Sequence, residues 1–340
     1  MFKAFGKNPS DKILEEVKKS PNYDNGVFAN LEKTDVMRKD ASYLKLLLEN
    51  LSKPSDVTPK NAIPTIKTDL KNLTGDTPQI VWFGHSSYLI AHKGKHILID
   101  PVFENASPVS FIGKPFRGTA IYHAEDMPDI DVLIITHDHY DHLEYKTLMK
   151  LKGKIKNIIC PIGVQSHLIY WAFSEAMIHA LDWNDEVTIS DTTVTALPAR
   201  HFSGRSISRD KTLWNSYALQ LDDYKIFIGG DSGYGQHFKT IGDIHGPFDI
   251  AFVECGQYGK DWPEIHMFPE QTAQAGLDLK TKILFPVHWA KFTLALHPWN
   301  EPIKRLFKAA EQMSYKITSP KIGETYSLGK DFIQEEWWNN

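Results

Sequence analysis

Cysteine is nearly absent: Cys160 and Cys255 are the only two in 340 residues. Two thiols so far apart make no disulfide framework. Both sit in apolar, strand-like surroundings, where a buried free thiol is the ordinary reading. The expectation is a reducing compartment, the cytoplasm. Long apolar runs are missing as well, and without a stretch of about 18 apolar residues no membrane-spanning helix is expected. The first twenty residues carry lysines but not the apolar stretch of a secretory signal. A basic surplus is also lacking, since Lys and Arg number 38 against 42 Asp and Glu, a net charge of −4. Proteins that hold nucleic acid by its phosphates show the opposite balance, so no nucleic-acid partner is expected. No internal repeat at fixed period and no low-complexity tract occurs.

What the chain does contain is material for a core. Nine Trp, thirteen Tyr and eighteen Phe, within 42% hydrophobic and 24% charged residues, exclude a solvated coil. A length of 340 residues suits one large domain or two small ones. Residues 1–75 differ from the rest. Ser10 stands where it could cap a short helix, with Asp11 near its start and Lys18 and Lys19 near its end. Leu44, Leu47, Leu48 and Leu51 recur at helical spacing and predict a helix over 43–51. Pro54, Pro59 and Pro64 then break the chain into a loop. This stretch has too few apolar residues for a core of its own, so it is expected as an extension packed on a main domain, residues 76–340.

From Gln79 the pattern changes to short strands. Residues 79–83, 88–92 and 96–100 follow one another with Gly84 and Gly94 near the turns, and 131–136 reads as a buried strand. A helix is expected over 143–151, then a strand at 158–160 and a helix over 165–180. A second run of strands covers 186–189, 193–197, 216–221, 224–228 and 250–253. Pro269 opens a further helix in its tolerated first position, followed by a strand at 283–286 and a helix over 301–313. Strands and helices in two similar batches predict an α/β protein, a four-layer αβ/βα sandwich of two mixed β-sheets flanked by helices.

The chemistry is concentrated in Thr136-His137-Asp138-His139-Tyr140-Asp141-His142, which ends the buried strand. Neutral imidazoles and carboxylates are the ligands divalent zinc takes, and it needs three or four of them convergent. An extended chain would aim His137 and His139 the same way, while Asp141 and His142, after the turn, can face a second metal. One local motif cannot fill two metal shells. Three distant residues just past apolar runs are candidates for the rest: His201, Asp231 and His288. Singly, each has a plainer reading, a satisfied histidine or a turn aspartate between glycines. Together with the H-x-H-x-D-H segment, the metal reading prevails.

With these residues in view, the sequence resembles the metallo-β-lactamase fold of dinuclear metallohydrolases, and within it the N-acyl-phosphatidylethanolamine-hydrolysing phospholipase D branch. The supporting stretches are Trp82 to His85, Asp100 to Phe103 with Ala106-Ser107-Pro108, Thr136 to Leu143, Leu181-Asp182-Trp183, and Pro198 to Phe202. Lys211 to Trp214, Gly230 to Tyr234, Gly246 to Asp249 and His288-Trp289 continue the match, which spans residues 79–300 and is less clear before them.

The resemblance implies that His137, His139 and His201 hold one metal, that Asp141, His142 and His288 hold the other, and that Asp231 bridges. Two zinc ions are expected, with iron or manganese compatible with the same donors. Two divalent metals, two aspartates and a bridging hydroxide leave a small positive charge, which favours an anionic phosphodiester over a neutral ester. The hydroxide would attack phosphorus in line. The implied activity is a phosphodiesterase of phospholipase D type on a phospholipid, with peripheral membrane contact. The alternatives are a lactonase opening a sugar-phosphate lactone, or a metal-binding scaffold without turnover. Asp100 is expected to orient a ligand histidine. His85 reads equally as a turn residue or a neighbour of the site. The aromatic run Ile169 to Phe173 reads as core packing before a lipid-contacting lip, and Cys255 as packing. His266, before the helix opened by Pro269, matches a histidine of the phospholipase D branch. It is expected to act in catalysis without holding metal, against the plainer reading of a helix-start cap.

Overall fold

The computed structural model describes residues 2–42, 48–49, 52–109, 111–330, 333 and 335–339. The helix expected over 43–51 lies largely outside the described residues. Sixteen strands among the described residues form two seven-stranded sheets and one small hairpin. The first sheet contains β3 (Gln79–Trp82), β4 (Tyr88–His92), β5 (Lys95–Ile99), β6 (Ile130–Ile134), β7 (Ile155–Pro161) and β8 (Ile178–Leu181), with β16 (Thr325–Ser327) on the free edge of β3. The second contains β9 (Glu186–Ile189), β10 (Thr192–Pro198), β11 (Asn215–Leu221), β12 (Tyr224–Ile228), β13 (Ile250–Glu254), β14 (Ile283–Val287) and β15 (Lys316–Ile317), in that spatial order. Both follow one plan, three antiparallel pairings and then three parallel ones. Short turns join β3 to β4, β4 to β5, β9 to β10 and β11 to β12, whereas parallel neighbours need crossovers, which is where most helices lie.

Side-chain alternation builds the layers. Ile80, Trp82, Tyr88, Ile90, Ile97, Ile99, Val132 and Ile134 belong to the core that also holds the second sheet's residues. Their neighbours Val81, Leu89, Leu98 and Leu133 join the opposite cluster, with Leu148 and Leu151 of α2 (Tyr145–Leu151) and Leu168 of α3 (Gln165–Tyr170). A period of two thus makes both faces apolar, as a sheet covered on both sides requires. Ile134→Ala would open a cavity in this core at a cost of about 2–5 kcal/mol. On the second sheet α4 (His237–Ile244), α5 (Pro269–Asp278) and α6 (Glu301–Ala310) supply the outer layer. The expected sandwich of two mixed sheets is therefore what forms.

Three local expectations need correction. The helix expected over 165–180 stops at Tyr170: Ala172 adopts a left-handed φ of 63°, and residues 178–181 pair with β7 as β8. Strands β15 and β16 were not foreseen, because pieces of two and three residues carry no period. The hairpin β1 (Tyr23–Asp24) and β2 (Val27–Phe28) was also missed, although its Asn25-Gly26 turn, with φ of 51° and 83°, is a strong hairpin signal. Before that hairpin, α1 (Asp11–Val17) follows Ser10 as expected, but the Ser10 side chain makes no cap hydrogen bond.

Strands β3, β5 and β6 run the same way in the first sheet, as do β10, β12, β13 and β14 in the second. Their C-terminal ends lead respectively to His85, Asp100, His137, His201, Asp231, Glu254 and His288. Loops from two rigid sheets therefore converge at one place.

Candidate metal centre

The donors fall into overlapping groups whose ligand atoms lie within 4.8 Å of one another: His137, His139, His201 and Asp231; His85, Asp141, His142 and His288; and Asp231, Glu254, His266 and His288. All seven residues singled out as ligands from the sequence are brought together, and His266 lies beside them. Asp231 sits between the first two groups. One carboxylate oxygen is 3.2 Å from His142 Nε2, 3.7 Å from His137 Nε2 and 3.8 Å from His201 Nε2, while the other is 3.1 Å from His288 Nδ1.

The donor set fits a pair of cations. His142 Nε2 and Asp231 Oδ1 are buried without a hydrogen-bond partner, a costly condition that a metal would relieve. Burial pushes His137, His201 and His288 well below the ordinary imidazole range, which keeps them in the neutral, metal-binding form. Burial works against an ionised Asp231, but His142 and His288 outweigh it and hold the carboxyl well below its usual range.

Surrounding groups fix these side chains. Asp100, buried, accepts from the Thr136 backbone N–H at 2.9 Å and the Thr136 hydroxyl at 2.6 Å, and lies 2.7 Å from His142 Nδ1. The expected orienting role of Asp100 therefore has its geometry. Ser86 Oγ is 3.0 Å from His288 Nδ1. His201 is held at its backbone by Asn30, whose amide oxygen accepts its N–H at 3.0 Å and whose amide nitrogen donates to its carbonyl at 2.7 Å.

Glu254 and Asn30 escaped the sequence reading, and His85 was read only as one of two equal alternatives. Glu254 closes the apolar run Ile250 to Val253, and a carboxylate ending such a run was the available signal. Its Oε2 lies 2.7 Å from His266 Nδ1 and its Oε1 accepts the Met267 N–H at 2.8 Å. His85, weighed only as a turn or a neighbour, is fully buried with Nε2 2.8 Å from Asp141 Oδ2. Asn30 belongs to the extension, and nothing local marks it. His266 stacks on the His288 ring at 5.2 Å and meets the His201 ring edge-on at 5.1 Å. Trp171 is buried, with its indole N–H donating to the Lys3 carbonyl, so that part of the aromatic run packs inward, as does Cys255.

The pattern of strands and donors has counterparts elsewhere. Residues 95–289 match the family model of a beta-lactamase superfamily domain. An uncharacterised protein of Mycobacterium tuberculosis is 36% identical over 325 residues, which are 94% of this chain and 87% of that one. The N-acyl-phosphatidylethanolamine-hydrolyzing phospholipase D 1 of Caenorhabditis elegans is 28% identical over 256 residues, 68% of this chain and 70% of that one. Among solved structures, Igni18, a metallo hydrolase of Ignicoccus hospitalis, shares the fold with a TM-score of 0.55 at 21% identity, covering 74% of this chain and 97% of its own.

Proposed function

Since the chain belongs to the beta-lactamase superfamily, we propose that it is a dinuclear metal-dependent hydrolase, a phosphodiesterase of phospholipase D type acting on N-acyl-phosphatidylethanolamine-like phospholipids. Two divalent metals, zinc foremost, would be held by His137, His139 and His201 on one side and Asp141, His142 and His288 on the other, with Asp231 shared, and would supply Lewis acidity and a nucleophilic water at neutral pH.

The observation that carries the phosphodiesterase reading is the Glu254–His266 pair. His266 is not needed for either metal shell, yet it stacks on His288. In the metal-free site burial disfavours a charged His266, but the Glu254 carboxylate, helped by Asp231 and Asp141, overcomes it and raises the imidazole to about 9. A protonated imidazole held there can donate to the alkoxide that leaves when a P–O bond breaks. Asp100 keeps His142 oriented through its Nδ1, and His85 does the same for the Asp141 carboxylate. Near this pair lies a cavity of about 410 Å³ whose apolar wall of Tyr258, Trp262, Phe268 and Leu296 is edged by Lys260, Asp261 and His297. The phospholipase D named among the relatives agrees with this chemistry.

The test pairs metal analysis with product analysis on one sample. Release of an N-acylethanolamine from its phospholipid, with about two metals per chain, is expected. Opening of a phosphorylated lactone without phosphodiester cleavage would overturn the substrate reading.

A further inference from the structure

Two loops beside the donor cluster carry large apolar side chains into solvent. Phe111 is 75% exposed, Ile112 51% and Ile207 fully exposed. Neither loop is a loose strand of chain. The first is closed at its neck by Ala106 N–H donating to the Gly113 carbonyl at 2.9 Å, and Ala106 packs with Val102 and Phe292. Phe292 in turn lies 5.2 Å from the His85 ring. The second is closed by Asp210 N–H donating to the Ser203 carbonyl at 2.9 Å and by Ser203 N–H donating to the Asp210 carboxylate. Its base is tied to the motif, where Gly204 N–H donates to Asp138 Oδ1 at 2.7 Å. Ser107 and Pro108 of one loop and Arg205 of the other line the same cavity with Tyr140. The bases of the two loops therefore adjoin one another beside the motif.

Their charge is mainly basic. Residues 105–118 and 202–209 contain no acid, and the acids at their edges are Asp210, which closes the second loop through the Ser203 N–H, and Glu144, which lines the shared cavity. Lys114, Arg117 and Arg209 are exposed on or beside the loops. Apolar tips on braced necks, ringed by cations, match a surface that is apolar inside and anionic outside.

We propose that Phe111, Ile112 and Ile207 form a docking rim that enters the interface of an anionic lipid bilayer, with Lys114, Arg117 and Arg209 against its headgroups. The inference rests on the reading of the substrate as a phospholipid, and it names the surface from which that substrate would be drawn. The rim would hold the centre over the bilayer rather than bind one lipid molecule.

The test is a fluorescence measurement that needs no turnover. Cys160 and Cys255 are both buried, so Ile207→Cys gives one reactive thiol for an environment-sensitive dye. Vesicles of phosphatidylcholine with about 30% phosphatidylglycerol should raise and blue-shift its emission several-fold, less so at high salt. Phe111→Asp with Ile112→Asp should lower co-sedimentation with the same vesicles about tenfold or more while cleavage of a soluble short-chain phosphodiester stays unchanged. An unchanged dye signal at saturating lipid would overturn the rim, as would a signal that grows with protein concentration alone, which would mean self-association. Vesicle binding without any phosphodiester cleavage would leave the rim standing and remove the phospholipase reading instead.

Discussion

Nδ1 of His266 lies 2.7 Å from Oε2 of Glu254, and Glu254 is itself tied to the strand-to-helix segment through the Met267 N–H. The pair gives His266 a fixed orientation beside a buried carboxylate. His266→Ala should therefore leave both metals bound, while stripping the buried Glu254 Oε2 of its partner costs about 1–3 kcal/mol of stability. Turnover of an unactivated phosphodiester should fall about 100-fold or more, the scale of general acid–base help. Substrates with acidic leaving alcohols should suffer less, because they need no proton. Glu254→Gln should follow the same pattern more weakly. Wild-type turnover in His266→Ala, measured on the unactivated substrate, would remove the role.

Asp231 faces both donor groups with its two oxygens. Asp231→Ala should therefore leave a folded protein, by circular dichroism, that retains about one metal or none instead of about two, with most activity gone. Full metal content in this variant, read by elemental analysis, would contradict the shared-carboxylate assignment.

How much of this was legible in the sequence depends on how local each signal was. Residues His137 to His142 pack four donors into six positions, so chemistry alone identified them. His201, Asp231 and His288 were legible because each follows an apolar strand, where a fold gathers its loops. His266 carried no comparable signal and entered only through resemblance. Glu254 and Asn30 act through partners 12 and 171 residues away, and no spacing rule reaches that far. The overlong helix from Gln165 fails for a similar reason. Its apolar residues keep helical spacing, but Phe173 is turned back onto the Leu168 carbonyl after the left-handed Ala172, and pairing with β7 then claims residues 178–181.

Proton competition should set the acid limit of activity. Burial disfavours a proton on His142, but Asp231, Asp141 and Asp100 outweigh it and raise the metal-free imidazole well above its usual range. Metal uptake must displace that proton, so affinity falls as pH falls. Activity is expected to drop below about pH 6, where ordinary imidazoles also begin to protonate. Calorimetry of metal uptake in buffers of different ionisation enthalpy should register proton release. A flat rate profile down to about pH 4.5 with metal retained would refute this.

Lys291 offers a separate test, of stability rather than activity. Its ammonium nitrogen is buried, 2.9 Å from the Phe83 carbonyl and 2.8 Å from that of Val102, joining the loops that follow β3 and β5. Burial pushes its pKa down to about 7, with only the Glu144 carboxylate opposing. In the unfolded chain the same group titrates near the ordinary lysine value of 10.5. Between these values the unfolded state binds the proton and the folded state does not, so stability rises with pH from about 7 upwards, by at most about 1.4 kcal/mol per unit. Below pH 7 both states are charged and the contribution is flat. A neutral amine can still donate to both carbonyls, so the bridge survives deprotonation. Lys291→Met should remove the pH-dependent part and leave two carbonyls unsatisfied, each costing about 1–3 kcal/mol. Urea melts of the metal-loaded protein at pH 7, 8 and 9 should therefore show wild type gaining on Lys291→Met as pH rises. Parallel curves for the two proteins would mean that Lys291 stays charged in the fold.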